Sequence, residues 1–251
     1  RYLRKGILER IDSMGNILTP LKIDDVKSLI NDFIEKGVDA IAIVLINSFA
    51  NPVHEMNILK FVKENFPQIP VSGSYQITKE IGEYERTCTT VYNAYVMPKI
   101  AKYAQNIKKE VGRILYVKSD GGVLPEEEVL TRPVGLIRSG PAAGTYGTLH
   151  MCNLMGIKNA IAFDMGGTSA EASLIRDGEI ELADEVELKH ELKIRVPTVY
   201  FTLIGAGGGS IAWMDSDDVF RVGPRSAGAD PGSACYGKGG VEPTVTDANL
   251  L

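Results

Sequence analysis

The chain of 251 residues is long enough for one large domain or two smaller ones, and its 44% apolar and 24% charged content is that of a globular protein with a sizeable core. A net charge of −5, with lysines and arginines scattered rather than striped, argues against nucleic acid as a partner, and the longest strongly apolar run, residues 40–46, is far short of the roughly 20 residues that cross a bilayer. Cys88, Cys152 and Cys235 are widely spaced with no CxxC pair, which fits a reducing compartment, so a cytoplasmic protein with no membrane contact is expected.

After Asp24-Asp25, the residues Val26, Leu29, Ile30, Phe33 and Ile34 recur at helical spacing as far as Gly37, and residues 40–46 follow as a buried strand. Asn51-Pro52 opens a second helix with Val53, Met56, Leu59, Val62 and Phe66 on one side, and Ile69-Pro70-Val71-Ser72 reads as the next strand. Helix, strand, helix, strand is an α/β layer. From Glu83 to about Val111, the spacing of Val91, Tyr92, Tyr95, Val96, Ile100, Tyr103, Ala104 and Ile107 predicts a long helix kinked or broken at Pro98, its aromatic stripe in the core.

Ile114 to Val117 reads as a strand that ends in a loop at Asp120-Gly121-Gly122, leading to Pro125 rather than to a strand partner. Glu126, Glu127 and Glu128 then start a helix as solvated acids at the positive end of its dipole. Leu136-Ile137-Arg138 is predicted as a strand, residues 141–155 as a helix and 160–164 as a strand. The alternating charges from Asp184 to Arg195 predict an exposed connection, Gly223 to Gly240 a long ordered loop, and a last helix begins near Asp247. A division into an α/β subdomain at 1–134 and a second subdomain at 135–251 is expected.

Chemistry concentrates at Ile161-Ala162-Phe163-Asp164-Met165-Gly166-Gly167-Thr168-Ser169. An apolar strand runs into an acid and a Gly-Gly-Thr turn: the strand end fixes the Asp164 carboxylate, Gly166 and Gly167 let backbone approach an anion, and Thr168 adds a hydroxyl. The chain after it, with Asp177-Gly178 as a type I′ turn signal, is strand again, so the glycine turn joins strand to strand. That topology excludes the P-loop, whose GxxxxGK[ST] string is absent, and a dinucleotide fold, which needs a helix after its glycines. A strand–DxGGT–strand unit is instead the phosphate hairpin of the actin, Hsp70 and sugar-kinase (ribonuclease H-like) superfamily, although an ordinary glycine-rich hairpin has the same string. A second loop, Gly205-Ala206-Gly207-Gly208-Gly209-Ser210, has the freedom to wrap a nucleoside or ribose, and at Ser139-Gly140-Pro141 a helix start can offer N–H groups to an anion.

Three segments, Arg138 to Gly144, Phe163 to Ser169 and Gly205 to Ile211, resemble the hydantoinase/oxoprolinase family. So do Asp39 to Ala42, Asn51 to Glu55, Glu83 to Tyr95, Gly223 to Gly232, Cys235-Tyr236-Gly237 and Glu242 to Asn249, and the resemblance covers essentially the whole chain. It implies an actin-like nucleotide-binding architecture and an ATP-using ring-amide hydrolase, in which ATP phosphorylates the amide oxygen of a hydantoin or of 5-oxoproline. It also implies Mg²⁺ held at Asp164, Asp164 and Glu171 as catalytic acids, and a nucleotide on Ser139, Gly140, Gly166, Gly167, Thr168, Ser169, Gly205, Gly207, Gly208, Gly209 and Ser210. A small cyclic amide, a hydantoinase B type subunit or fused domain, and a second copy of the chain are the partners it implies. ATP-dependent ketone carboxylases share the nucleotide-binding subunit, and a non-catalytic scaffold is the other alternative.

The sequence departs from that family in two ways. Ala170 and Glu171 stand where Thr-Asp is common, a carboxylate arm one methylene longer, and the family's first DxGGT-like turn has no counterpart here. With a start at Arg1 and a helix beginning near the end, the chain reads as a fragment expected to bind nucleotide weakly and not to turn over alone. His54, His150 and His190 lack zinc spacing, no GxSxG elbow occurs, and Cys88 falls in a helix, so metal-hydrolase and acyl-enzyme chemistry are set aside.

Overall fold

The computed structural model describes residues 3–188 and 192–251, and these form two compact units, residues 3–139 with 183–188 and 192–198, and residues 140–182 with 199–251. The chain begins β1 (Arg10–Ile11), β2 (Ile17–Thr19), α1 (Ile23–Glu35), β3 (Ile41–Ile43), α2 (Val53–Asn65), β4 (Val71–Gly73), α3 (Ser74–Ile77) and α4 (Glu83–Val111). It continues with β5 (Leu115–Val117), β6 (Val123–Pro125), α5 (Glu126–Thr131), a 3-10 turn at Pro133–Leu136, α6 (Ser139–Met155), β7 (Ala160–Met165), β8 (Ala170–Arg176), β9 (Glu179–Ile180) and β10 (Leu182–Ala183). The remainder is β11 (Val186–Glu187), β12 (Lys193–Ile194), β13 (Thr198–Val199), β14 (Thr202–Ile204), β15 (Ser210–Met214), β16 (Phe220–Ser226), a 3-10 turn at Ala234–Tyr236 and α7 (Val245–Ala248). The class is α/β, as the patterning predicted, and among the described residues no helix is long and apolar enough to cross a membrane.

In the first unit, β3 and β4 pair in parallel with Ile41 opposite Val71 and Ile43 opposite Gly73, and α2 is the crossover between them. Val26 and Ile30 of α1, Ile58, Leu59 and Val62 of α2, and Ile41, Ile43 and Val71 form one core. The predicted strand 40–46 stops at Ile43 because the Leu45 N–H turns away to donate to Glu55 Oε1 at 2.7 Å. The buried face of α2 is also rotated from the apolar reading: His54, Glu55, Ile58, Leu59 and Val62 are inside and Met56 is half exposed. Polar groups can take those positions because each is bonded, His54 Nδ1 to Glu9 Oε2 at 2.7 Å and Glu55 to Leu45, Ser74 and Tyr75.

Helix α4 departs furthest from expectation. It runs through Pro98 without ending, and the aromatic stripe placed in the core is largely outside, with Tyr95 65% and Tyr103 53% exposed, while Tyr92 packs inward. Its buried face is polar: Arg86, Thr89, Thr90 and Asn93 are within 2% of full burial. Asn93 Nδ2 donates to Ser72 Oγ and to the Thr131 carbonyl, its Oδ1 accepts from Val134 N–H, and Thr89 Oγ1 accepts from Arg195 N–H. Apolar periodicity cannot register a core face whose hydrogen bonds are satisfied by distant segments.

Three further expectations are corrected. Asp120-Gly121-Gly122 is the turn of an antiparallel hairpin, β5 with β6, in which Val117 faces Val123, so a strand partner does follow it. Leu136-Ile137-Arg138 is no strand: a 3-10 turn ends at Leu136 and Arg138 takes φ 56°, a left-handed corner that opens α6. Asp184 to Arg195 is only partly an exposed connection, since Val186 and Ile194 are buried where β11 pairs with β12. Lys189, His190 and Glu191 of that segment lie outside the described residues.

A small satellite core under α4 holds Ala104, Tyr116 and Val129. The Tyr116 hydroxyl is buried there with no hydrogen-bond partner among the described residues. Tyr116→Phe is therefore expected to leave stability unchanged or to raise it by up to about 1 kcal/mol, since an unpaired buried hydroxyl costs more than its removal. Urea unfolding reads this directly, and a loss above about 1 kcal/mol would reveal a partner for the hydroxyl.

The second unit is built on a sheet ordered β14-β8-β7 with β9 on β8, all antiparallel. Asp177 (φ 53°) and Gly178 (φ 82°) make the type I′ turn the Asp-Gly pair predicted. Helix α6 is bonded to the sheet face bearing Ser173, through Thr145 Oγ1 and Ser173 Oγ at 2.7 Å. Ile161, Phe163, Met165, Leu174 and Ile204 lie on the other face and are exposed. Beyond the sheet, β15 pairs with β16, and Trp213 Nε1 donates to the Gly223 carbonyl at 2.8 Å.

Candidate functional site

Asp164 is the penultimate residue of β7 and stands opposite Glu171 of β8, which in turn stands opposite Leu203 of β14. Residues opposed in an antiparallel pair share a face with Cβ atoms about 5 Å apart, so the two candidate carboxylates are neighbours on one side of the sheet. Glu171 therefore sits beside Asp164 despite its longer arm, and the preceding Ala170 is fully buried.

Between the strands, Met165 to Ser169 make a tight turn closed by Gly166 N–H to Ser169 O at 3.0 Å, with Gly166, Gly167 and Thr168 exposed. The second glycine loop lies directly behind it. Gly208 N–H donates to Gly166 O at 2.9 Å and Gly209 N–H to Gly167 O at 2.7 Å, while Ser210 folds its own loop by accepting Gly207 N–H on Oγ at 2.8 Å. The contact is so close that a Cβ on Gly207 would lie 2.7 Å from Gly166 O, Ser169 N and Thr168 C. Glycine at position 207 is thus a requirement of loop-to-loop packing.

Fixing the carbonyls of Gly166 and Gly167 on the second loop has an electrostatic result. A trans peptide points C=O and N–H in opposite directions, so the Gly167 and Thr168 N–H groups face away from that loop. Neither has a hydrogen-bond partner among the described residues. The turn therefore presents two adjacent backbone donors and a hydroxyl near a carboxylate, an arrangement suited to an anion with an accompanying cation.

The sequence thus brings together Asp164, Gly166, Gly167, Thr168, Ser169, Glu171, Gly207, Gly208, Gly209 and Ser210 in one corner of the second unit. Gly205 belongs to the same loop but faces open space. Ser139 and Gly140 are the first residues of α6, where the chain passes from the first unit to the second. Asp120 is taken up inside its own hairpin turn, accepting from Gly122 N–H at 2.9 Å and Lys118 Nζ at 2.7 Å. His54 is a buried partner of Glu9, consistent with a packing role.

Sequence reading missed the tail behind the second loop. Thr246 N–H and Oγ1 both donate to Gly208 O at 2.8 Å, and α7 is held by a capping box in which Thr244 and Asp247 bond reciprocally. Asp247 also accepts from Cys235 N–H at 2.8 Å, and these donors, Cys235 foremost, hold its carboxyl far below the usual range. The Thr-x-x-Asp capping box was legible in the string, but its attachment to Gly208 was not.

The hydantoinase/oxoprolinase profile matches residues 86–251, and the profile of that family's N-terminal region matches residues 1–66. The chain belongs to the hydantoinase/oxoprolinase family. It is 41% identical over its full length to the caprolactamase alpha subunit of Pseudomonas jessenii, covering 37% of that protein, and 34% identical to the acetophenone carboxylase gamma subunit of Aromatoleum aromaticum, covering 36%. The crystal structure of the ATP-dependent caprolactamase from Pseudomonas jessenii superposes with a TM-score of 0.76 at 40% identity, over 97% of this chain and 36% of that one. The chain spans little more than a third of the length of these two relatives, and 19% of the 5-oxoprolinase of Saccharomyces cerevisiae, which it matches at 34% identity. An actin-like fold is consistent with the family.

Proposed function

We propose that this chain carries the phosphate-binding part of an ATP-dependent hydrolase of small cyclic amides. The observation that supports the reading most is the turn, with the Gly167 and Thr168 N–H groups without a partner among the described residues and aimed away from the loop that backs them. These two donors and the Thr168 hydroxyl would hold phosphate oxygens. Asp164, with Glu171 beside it, would hold Mg²⁺ directly or through its waters, which suits a cation that takes one or two carboxylates and completes its shell from ligand and solvent. When bound, ATP would supply a phosphoryl group to the amide oxygen, leaving the carbonyl open to water. What the protein contributes to such a transfer is position and charge neutralisation, which backbone donors on a braced turn provide.

Gly207, Gly208, Gly209 and Ser210 serve this reading by bracing the turn, and Gly205 is the residue of that loop left to meet a nucleoside. Ser139 and Gly140, at the start of α6, are candidates for a separate anion contact. A cyclic amide is preferred to a ketone as substrate on the higher identity to the caprolactamase subunit than to the carboxylase subunit. Those relatives are named as subunits, so a companion subunit or domain that completes the reaction belongs to the proposal.

Calorimetric titration with ATP, with and without Mg²⁺, tests it. Wild type is expected to bind more tightly with Mg²⁺, and Asp164→Asn to lose that gain, a change of about tenfold in Kd for a charge-assisted contact. A wild-type chain indifferent to both nucleotide and Mg²⁺ sinks the reading.

A further inference from the structure

The bonds behind the glycine turn follow the peptide groups in one direction. The peptide joining Gly208 to Gly209 accepts twice at its oxygen, from Thr246 N–H and Thr246 Oγ1, both at 2.8 Å, and donates once at its nitrogen, from Gly209 N–H to Gly167 O at 2.7 Å. The peptide joining Gly167 to Thr168 takes that bond on its oxygen and ends in the Thr168 N–H. Both peptides are trans, the described cis bonds being elsewhere, so each turns its N–H away from the group it accepts from. Bonds accepted at a peptide oxygen polarise its N–H, and successive bonds of this kind reinforce one another.

Thr246 is itself held firmly. Thr244 caps α7, Asp247 accepts from Thr244 N–H and Oγ1 at 2.8 Å, and Ala212 N–H donates to Pro243 O at 2.9 Å, tying the tail to the strand that leaves the second loop. Gly208 leaves no spare room, since a Cβ there would lie 2.8 Å from Thr246 Oγ1.

We infer that Thr246 is a positioning residue for the anion site: through the Gly208–Gly209 peptide it orients and polarises the Thr168 N–H, so the tail Thr244-Val245-Thr246-Asp247 acts on a bound phosphate without touching it. The inference rests on the phosphoryl reading for its ligand and on hydrogen bonds alone for its relay. It makes Thr246 answerable for affinity at a turn that lies nearly eighty residues earlier in the chain.

Amide exchange and MgATP titration on wild type, Thr246→Val and Thr246→Ser test the two halves separately. Removing the hydroxyl in Thr246→Val is expected to speed exchange at Gly209 and weaken the Kd for MgATP, each by roughly threefold to tenfold for one lost hydrogen bond. Thr246→Ser restores both, which a change in packing would not do, because serine returns the hydroxyl but not the methyl group. Wild-type exchange at Gly209 in Thr246→Val overturns the relay. Wild-type affinity in a variant whose exchange has risen overturns the positioning role and leaves the phosphoryl reading standing. A wild type that binds no MgATP sinks that reading, and with it the ligand half of this inference.

Discussion

Gly207→Ala is expected to separate the two glycine loops and abolish nucleotide binding. The added Cβ meets only backbone, at 2.7 Å from each of Gly166 O, Ser169 N and Thr168 C, so no flexible side chain is available to yield. Relief requires one loop to move, and the bonds from Gly208 N–H to Gly166 O and Gly209 N–H to Gly167 O lengthen or break. Overpacking of this kind costs about 1–3 kcal/mol and two lost hydrogen bonds about 1 kcal/mol each, a total near 3–5 kcal/mol in the second unit. Gly205→Ala is the control, since a Cβ there meets nothing within 4 Å and is expected to change stability by less than about 1 kcal/mol. Denaturant unfolding compares the pair, and nucleotide titration follows Gly207→Ala against wild type. Equal stability of the two variants would mean the loops are not locked together.

The contrast between these two glycines marks how far the sequence carries. Phe163-Asp164-Met165-Gly166-Gly167-Thr168 announces a strand ending in a tight glycine turn because strand propensity, acid and glycines are all local. The Asp177-Gly178 turn and the α1 and α2 starts at Asp24 and Pro52 are legible for the same reason. That Gly207 has no room for a methyl group while Gly205 has ample room depends on which loop lies behind which, a relation no local pattern encodes. Thr246 is the sharper case: its capping partners stand within three residues, whereas the carbonyl it supports is Gly208.

Polar burial explains the other departures. The apolar reading of α2 and α4 chose faces by hydrophobicity, yet Glu55 and Arg86 are among the most buried residues of the first unit. Asp120-Gly121-Gly122 leads to Pro125, a residue that central strands avoid. Pro125 in fact closes a three-residue edge pairing with Leu115, where a missing N–H matters little. In both cases the deciding term was whether a polar group found a partner, which depends on tertiary placement.

That dependence makes Arg86 the most consequential residue of the first unit. Its Nη1 donates to Ser48 Oγ at 3.0 Å and its Nη2 to Leu45 O at 2.8 Å, its guanidinium lies 5.6 Å from the Phe49 ring centroid, and burial lowers its pKa against the opposing pull of Glu55 and Glu83. Ser74 spends its proton on Glu55 Oε1 at 2.7 Å, so it accepts from Ser48 at 3.0 Å, and a one-way series Arg86, Ser48, Ser74, Glu55 joins cation to anion. Glu55 also gathers Leu45 N–H and Tyr75 N–H, so the pair fastens the chain just beyond the carboxyl ends of β3 and β4 to α2 and α4. Arg86→Met strands a buried carboxylate and is expected to cost about 3–5 kcal/mol, while Glu55→Gln, which keeps part of the bonding, costs less. Because each change removes the reason for the other, the double variant is expected to lose less than the sum by 1 kcal/mol or more, roughly the coupling of contacting charges. Urea unfolding of the four chains measures this cycle. Additive losses, or an Arg86→Met chain within about 1 kcal/mol of wild type, would mean that solvent and not Glu55 balances the buried guanidinium.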